Sequence, residues 1–444
     1  MFRFSSEKVI TLSAGCVVGG FFLLAVGAVS CGDPTVAPGP GTGGTATGGA
    51  AGGAGGNNPE PGTGGTPGTG GTPGTGGTPG TGGTPGTGGA PGTGGTPGGG
   101  NTTVIATMAG GLNKPTDLKF NPYKAGELWV TNQGDSSMTI IGTATTAPMA
   151  QRRRDAAYSH FMPQPAGISF GAETTSIQDA AGMPVKGTFA TCGESRNGGD
   201  DFMGPVMWTP DLRIFAVNKA MREPPFNGTQ AGPLGSHIDM LHLSPLCTGI
   251  AWEGAGNVYW TYSGISKAFV RYDFRSDHWI GNDNHTDGAM WRYLVDGTGY
   301  TAGVPSHLYY RVSEKAVYFA DTTNGRVIKF LPASATMTAN NPMRNRDGLT
   351  MGPSIELSGA MPTDVVAKGM VEKPSGIEIK GETMYVTDNA NGKIFKFSIA
   401  GAMQGSVQTD VKPAGMAGIT MGPDNKLYFV DMVGNRVLRL DSGL

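Results

Sequence analysis

This chain has little charge, few histidines and few cysteines for its length. Only 15% of its 444 residues are charged, and 32 Lys and Arg almost balance 34 Asp and Glu. With no strong net charge, the composition does not favour nucleic acid or an anionic surface as a partner. Long helical periodicity, a nucleophile elbow, a Walker loop, an HExxH motif and a GxGxxG strand–helix unit are also absent. The sequence therefore shows no complete catalytic motif.

What the chain does have is a pattern that returns six times after residue 100. Each copy contains a Gly-hydrophobic step, an apolar β-rich run that ends near Asp or Thr, a Gly/Asn turn and a second apolar run. The clearest copy comprises residues 374–377, 384–388 and 391–397, and the same order returns about 43 residues later. A strand repeat of this size is typical of a β-propeller blade.

The repeats predict an all-β, six-bladed β-propeller over residues 103–444. The first runs of the six blades are 115–120, 165–170, 248–252, 305–308, 374–377 and 418–419. The last copy provides only three strands, and an isolated strand at 103–107 precedes the first copy. We expect this N-terminal strand to complete blade six, because that pairing closes the ring and removes open edges.

The series Pro-x-Gly-Ile, Tyr-Val-x-Asp and Asn-Gly-Arg/Lys-Val/Ile resembles the NHL repeat and covers nearly all of residues 103–444. The resemblance implies a six-bladed propeller. This family includes peptidyl-hydroxyglycine amidating lyases, in which channel histidines from different blades hold a metal. The ligands and catalytic residues of those lyases do not match this chain one by one. The same ring hosts enzymes, binding modules and scaffolds, so the resemblance implies the fold and not the activity.

The N-terminal segment 1–31 reads as an export signal. Arg3 and Lys8 precede an uncharged apolar stretch at 9–29, and the following Cys31 resembles the acylated cysteine of a bacterial lipobox. An uncleaved membrane anchor and a soluble secreted form are the alternatives, because about 20 apolar residues also span a bilayer. All three place the rest of the chain outside the cytoplasm. We expect an outer-membrane or cell-surface lipoprotein, or a periplasmic protein, attached to the membrane through its lipid or helix.

Residues 32–102 form a low-complexity segment built on Pro-Gly-Thr-Gly-Gly-Thr. Such a segment has almost no apolar surface to bury and cannot offset the entropy of ordering. We expect a disordered linker that holds the propeller away from the membrane.

The richest group of metal-ligating side chains is the segment 277–288. Its candidate ligands are Asp277, His278, Asp283, His285 and Asp287. The last three alternate and precede Gly288, as in the first half of a calcium loop, but Leu294 stands where an EF-hand has Glu. A histidine ligand favours zinc over calcium. The alternative is a solvated Asp- and Asn-rich turn.

A second histidine group lies at the predicted entrances to blades three and four. It consists of His237, His242 and His307. If entering strands line the channel, these histidines share a point on the axis and can hold a divalent metal such as Zn²⁺ or Ca²⁺. The alternative is that each is simply hydrogen-bonded.

Cys192 and Cys247 are the two cysteines of the predicted propeller. In an exported protein such a pair is expected to form a disulfide. A metal site that combines Cys247 with His242 is the alternative.

These observations favour a binding or scaffolding module for a protein, peptide or glycan. The alternative is a metal-dependent lyase or hydrolase at the channel, which uses the histidine and aspartate groups above. The large aromatic residues of the strands are predicted to form the packing core between blades: Trp129, Trp208, Trp252, Tyr259, Trp260 and Tyr318.

Overall fold

The structure, a computed structural model, describes residues 101–178, 182–196, 203–217, 235–278, 280–281, 286–340 and 354–444. The predicted signal segment 1–31 with Cys31, and nearly all of the predicted linker, lie outside the described residues. Within the described part of the chain, no helix has the length and apolar character to cross a membrane.

Six sheets of four or more strands form the blades of a propeller, which confirms the predicted all-β, six-bladed architecture. Blade one contains β2 (Pro115–Phe120), β3 (Leu128–Asn132), β4 (Ser137–Gly142) and β5 (Met149–Arg153). Blade two contains β6 (Pro165–Phe170), β9 (Phe189–Gly193), β10 (Val206–Trp208) and β11 (Asp239–Met240). Blade three contains β12 (Cys247–Trp252), β13 (Val258–Ser263), β14 (Ala268–Asp273) and β15 (Ala289–Leu294).

The second half of the ring is built in the same way. Blade four contains β16 (Leu308–Arg311), β17 (Ala316–Asp321), β18 (Arg326–Phe330) and β21 (Thr363–Val366). Blade five contains β22 (Pro374–Lys380), β23 (Thr383–Asp388), β24 (Lys393–Ser398) and β25 (Met403–Gln408). Blade six contains β26 (Met416–Met421), β27 (Leu427–Asp431), β28 (Arg436–Leu440) and the N-terminal β1 (Thr102–Ala106).

The ring closes through the N-terminal strand, as the sequence predicts. Strand β1 pairs antiparallel with β28, from Thr102 opposite Leu440 to Ala106 opposite Val437. The Thr103 hydroxyl also donates a hydrogen bond to the Asp441 carboxylate, just beyond β28. Because the first strand pairs with the last strand of the chain, β1 becomes the outer strand of blade six and covers the edge of β28.

Two hairpins are added to the regular blades. The first, β7 (Thr174–Gln178) with β8 (Pro184–Lys186), follows the inner strand of blade two. The second, β19 (Thr336–Asn340) with β20 (Ser354–Ser358), leaves blade four and joins its neighbour, because β20 pairs in parallel with β15. Blade three thus becomes a six-stranded sheet. Short helical turns lie at Met108–Gly110, Tyr158–Phe161 and Pro332–Ser334.

Aromatic side chains fill the spaces between blades. Trp129, Trp208, Tyr259, Trp260 and Tyr318 are completely buried, as predicted for packing residues. For example, Trp129 contacts Phe189 and Phe215 with ring centroids 4.9 and 5.1 Å apart.

The predicted disulfide between Cys192 and Cys247 is confirmed. It joins β9 of blade two to the first strand of blade three, with the Cα atoms 5.7 Å apart. The alternative metal site that used the Cys247 thiol is therefore wrong, because that sulfur is bonded to Cys192.

Candidate functional site at the channel mouth

The channel is lined by the first strand of each blade. Strands β2, β6, β12, β16, β22 and β26 contact one another in cyclic order, which makes them the innermost strands of the ring. Side chains alternate along a strand, so every second residue of each inner strand faces the axis. Residues at the same position of the six repeats therefore lie at the same height in the channel and form a layer.

The Gly of the repeat forms the narrowest layer, where neighbouring inner strands nearly touch. A Cβ atom on Gly249 would lie 2.7 Å from the Ser306 carbonyl oxygen, and one on Gly376 would lie 2.3 Å from the Ala417 carbonyl oxygen. The repeat needs Gly here because no side chain fits between the strands.

Two blades carry a side chain at this register, Asp117 in blade one and His307 in blade four. Both are almost completely buried, and His307 Nδ1 lies 3.6 Å from Asp117 Oδ1. His307 Nε2 lies 3.0 Å from the Ala166 carbonyl oxygen, which requires a proton on Nε2, and Asp117 Oδ2 accepts a hydrogen bond from the Ile168 amide at 3.0 Å. This pair fills the axis below the mouth. The sequence predicts His307 as a channel residue but misses Asp117. Asp117 could have been found because it stands at the repeat position where other blades have Gly.

Two residues further along each inner strand, the channel opens into a cavity of about 400 Å³. The residues of this second layer all line the cavity: Lys119, Ser169, Ala251, Tyr309, Glu378 and Thr420. The next residue of five of these strands also lines the cavity: Phe120, Phe170, Trp252, Tyr310 and Met421. The cavity therefore receives side chains from all six blades.

One ion pair crosses this layer. Lys119 Nζ of blade one lies 2.9 Å from Glu378 Oε2 of blade five, and both side chains are largely buried. Burial lowers the pKa of Lys119, but the charges of Glu378 and Asp117 outweigh that effect and the pKa is raised. Lys119 therefore stays charged, and the pair contributes no net charge to the cavity.

Tyr309 adds a hydrogen-bond donor beside this pair. Its pKa is raised, first by burial and then by the Glu378 charge, so its hydroxyl keeps its proton at neutral pH.

The interpretation of Trp252 as a packing residue is confirmed in part. Trp252 packs against a buried hydrophobic cluster between blades two and three, but it is only partly buried and also lines the cavity, while the other tryptophans predicted as core are completely buried. The Trp252 amide donates to Ser169 Oγ at 2.9 Å, and its indole Nε1 donates to the Gly256 carbonyl at 2.8 Å. These bonds fix the ring and leave part of its surface available.

His237 and His242 do not lie on the axis with His307. They flank β11, the outer strand of blade two. The His237 ring stacks on Phe161 with centroids 3.7 Å apart, and the His242 carbonyl accepts a hydrogen bond from the Tyr272 hydroxyl at 2.8 Å. The expectation of a shared axial site is therefore not met, because sequence order places these histidines at an outer strand.

The segment 277–288 also lies elsewhere than expected. It connects β14 to β15 within blade three, and not blade three to blade four. Asp277 accepts hydrogen bonds from the Ser176 amide at 2.9 and 3.1 Å. The predicted ligands Asp283 and His285 lie outside the described residues.

His278 and Asp287 of this segment come together with Asp239 of β11. One ligand atom from each lies within 4.8 Å of the others, which makes the group a possible metal site. Burial lowers the pKa of His278, but the carboxylates of Asp239 and Asp287 outweigh it and the pKa is raised. Asp239 could be found only from the fold, because it is far from the loop in sequence.

No protein-family model matches this chain, and no curated protein matches it. An auxiliary nutrient binding protein from Bacteroides thetaiotaomicron is similar in structure, with 10% identity, a TM-score of 0.43 and coverage of 74% of this chain and 69% of the other. An auxiliary nutrient binding protein from Bacteroides ovatus is 11% identical, with a TM-score of 0.44 and coverage of 74% of this chain and 68% of the other. Virginiamycin B lyase from Staphylococcus aureus is 10% identical, with a TM-score of 0.41 and coverage of 76% of this chain and 98% of the other. At such identities none of these similarities indicates a shared ligand or activity.

Proposed function

We propose that this protein is an exported binding module that holds a neutral, sugar-like unit of a glycan at the mouth of its propeller channel. The observation that carries the proposal is the cavity to which all six inner strands contribute. Its volume of about 400 Å³ falls within the range of about 300–1,000 Å³ typical of small-molecule sites. Its combination of aromatic surface with a few converging polar groups is also typical of such sites.

The lining favours a sugar over a charged ligand. Lys119 and Glu378 neutralise each other, so the residues that line the cavity carry no net charge to pair with an ion. The same two groups, with the Tyr309 hydroxyl, offer donors and acceptors to ligand hydroxyl groups. Trp252, Phe120 and Tyr310 provide flat apolar surfaces for the C–H face of a sugar ring.

The disulfide supports export, because such bonds persist in oxidising compartments. We propose that segment 1–31 directs export, that Cys31 is the lipid attachment site and that residues 32–102 form the tether. Assignment of the blades to the NHL repeat is part of the same proposal and rests on the quoted motifs.

The alternative, a metal-dependent lyase or hydrolase at the channel, receives less support from the described residues. His307 lies in the channel but bonds to the Ala166 carbonyl oxygen. The Asp239, His278 and Asp287 group lies at the outer strand of blade two.

Tryptophan fluorescence of the purified full chain tests the proposal, with neutral oligosaccharides and uncharged short peptides as separate probes. Trp252→Ala should weaken oligosaccharide binding about tenfold, since loss of a stacking partner costs about 1.5 kcal/mol. Trp291→Ala is the matched control, because Trp291 lies in β15 and packs against Arg271. The double variant Lys119→Met with Glu378→Gln, which leaves no lone buried charge, should also weaken binding.

Three results would contradict the proposal. If only peptides bind and their binding depends on Trp252, the cavity is a binding site but its ligand is not a glycan. Oligosaccharide binding that is equal in both tryptophan variants would refute the site. Failure of every probe to change the fluorescence of the wild-type chain would refute both.

A further inference from the structure

The loop between β14 and β15 lies across the outer edge of blade two. The His278 amide donates to the Ile238 carbonyl at 2.8 Å, and the Gly281 amide donates to the His237 carbonyl at 2.7 Å. The Asp277 carboxylate accepts from the Ser176 amide in the hairpin of blade two. These bonds place His278 directly over Asp239.

Negative charge is concentrated at this contact. The groups that act most strongly on the His278 charge are three carboxylates, those of Asp239, Asp287 and Asp277. Asp239 is completely buried. A divalent cation would interact favourably with these carboxylates, since buried charge is costly unless it is paired or bound to a metal.

One ligand atom from each of Asp239, His278 and Asp287 lies within 4.8 Å of the others. On the Asp239 side, His278 Nδ1 lies 3.5 Å from Asp239 Oδ2. Tetrahedral zinc with bonds of about 2.0–2.2 Å places its ligand atoms roughly 3.4 Å apart. Within the described part of the chain, His278 Nδ1 and Asp287 Oδ1 are buried atoms that make no hydrogen bond.

We propose that Asp239, His278 and Asp287 bind a divalent cation of the zinc type, which fastens the loop of blade three to the outer strand of blade two. One imidazole nitrogen and two carboxylate oxygens suit zinc, whereas calcium takes six to eight oxygen ligands. Water completes the coordination. The site lies at an outer strand and is independent of the proposed glycan site in the channel.

Zinc binding to the purified full chain tests this site. After treatment with a chelator and its removal, equilibrium dialysis against ZnCl₂ should give one high-affinity ion per chain, and thermal unfolding should shift upward with ZnCl₂. Asp287→Asn and His278→Gln should each weaken binding by more than about tenfold. His160→Gln is the matched control, because His160 is exposed and lies in the helical turn 158–161.

Each other outcome counts against the proposal. Wild-type chain that binds no zinc, or folded Asp287→Asn and His278→Gln chains that bind it as the control does, would overturn the site. A wild-type chain stabilised by CaCl₂ and not by ZnCl₂ would overturn the zinc class. If circular dichroism shows that His278→Gln does not fold, Asp287→Asn decides, since the Asp287 side chain is 33% exposed and its loss leaves the core intact.

Discussion

Blades five and six differ from blades two and three in what stabilises their inner turns. In blade five, Asp388 at the end of β23 accepts hydrogen bonds from the Glu372, Lys373 and Ala390 amides, each at 3.0 Å. In blade six, Asp431 accepts from the Gly434 amide at 2.7 Å. The repeat carboxylate therefore caps the turn within its own blade.

Blades two and three have no carboxylate at this position. Their second strands end at Gly193 and Ser263, in the register of Asp388. The Cys192–Cys247 disulfide joins the two blades next to these residues, and His278 and Gly281 of the β14–β15 connection bond to the backbone beside the outer strand of blade two. The difference indicates that links between blades replace local turn capping where the repeat is weak.

Removal of the disulfide tests this difference between the blades and has the largest expected effect on stability. The bond closes a loop with a sequence separation of 55 residues, for which the chain-entropy model gives about 4 kcal/mol of stability. The double variant Cys192→Ser with Cys247→Ser should lose about that amount in urea unfolding of the full chain. Reduction of the wild-type chain should give the same loss, and reduction should have no effect on the double variant.

A loss below about 1 kcal/mol would contradict the conclusion that links between blades stabilise blades two and three, because these blades would then be stable without their covalent link. A loss of two-state behaviour would support that conclusion, since it would mean that these blades unfold separately from blades five and six.

The predictable part of the fold is the part that follows the repeat. The Gly-hydrophobic step gives the position of the inner strands, and the absence of a fourth strand in blade six predicts its pairing with β1. The placement of β20 beside β15 is not predictable, because it depends on a parallel contact between distant segments. The repeat contains no corresponding signal.

The residues of the candidate sites are likewise predictable where they follow the repeat and not predictable elsewhere. Asp117 and His307 could both be found by asking which blades lack Gly at the narrow layer, and counting two residues onward gives Lys119 and Glu378. The sequence predicts His278 and Asp287 as candidate ligands but not Asp239, because sequence order gives no reason to place this residue of blade two beside a loop of blade three.

The next test addresses the regular blades. Gly376→Ala should destabilise the chain by about 2–3 kcal/mol, because its Cβ would meet the Ala417 carbonyl oxygen at 2.3 Å and the strands would have to separate. Gly405→Ala is the control, since a Cβ in the outer strand β25 meets only Leu444, at 3.8 Å. That variant should be neutral or slightly more stable. Equal effects of the two substitutions in urea unfolding would contradict the assigned role of the Gly layer.

The smallest expected effect concerns the ring closure of blade six at acid pH. Burial raises the pKa of Asp441, but hydrogen bonds from Lys426, Thr103 and Arg439 outweigh burial and lower the pKa to about 2. A folded pKa below the unfolded value means that the carboxylate stabilises the folded chain fully above about pH 4, and that this contribution is lost as the pH falls from about 4 to 2. Because the ion pairs lie near the surface, we expect about 1 kcal/mol. In urea unfolding at pH 5 and at about pH 1.5, below the folded pKa, wild type should be more stable than Asp441→Asn only at the higher pH. Since all other carboxylates titrate equally in both chains, a difference that persists below the folded pKa would show that packing of this side chain, and not its charge, holds β1 to the ring.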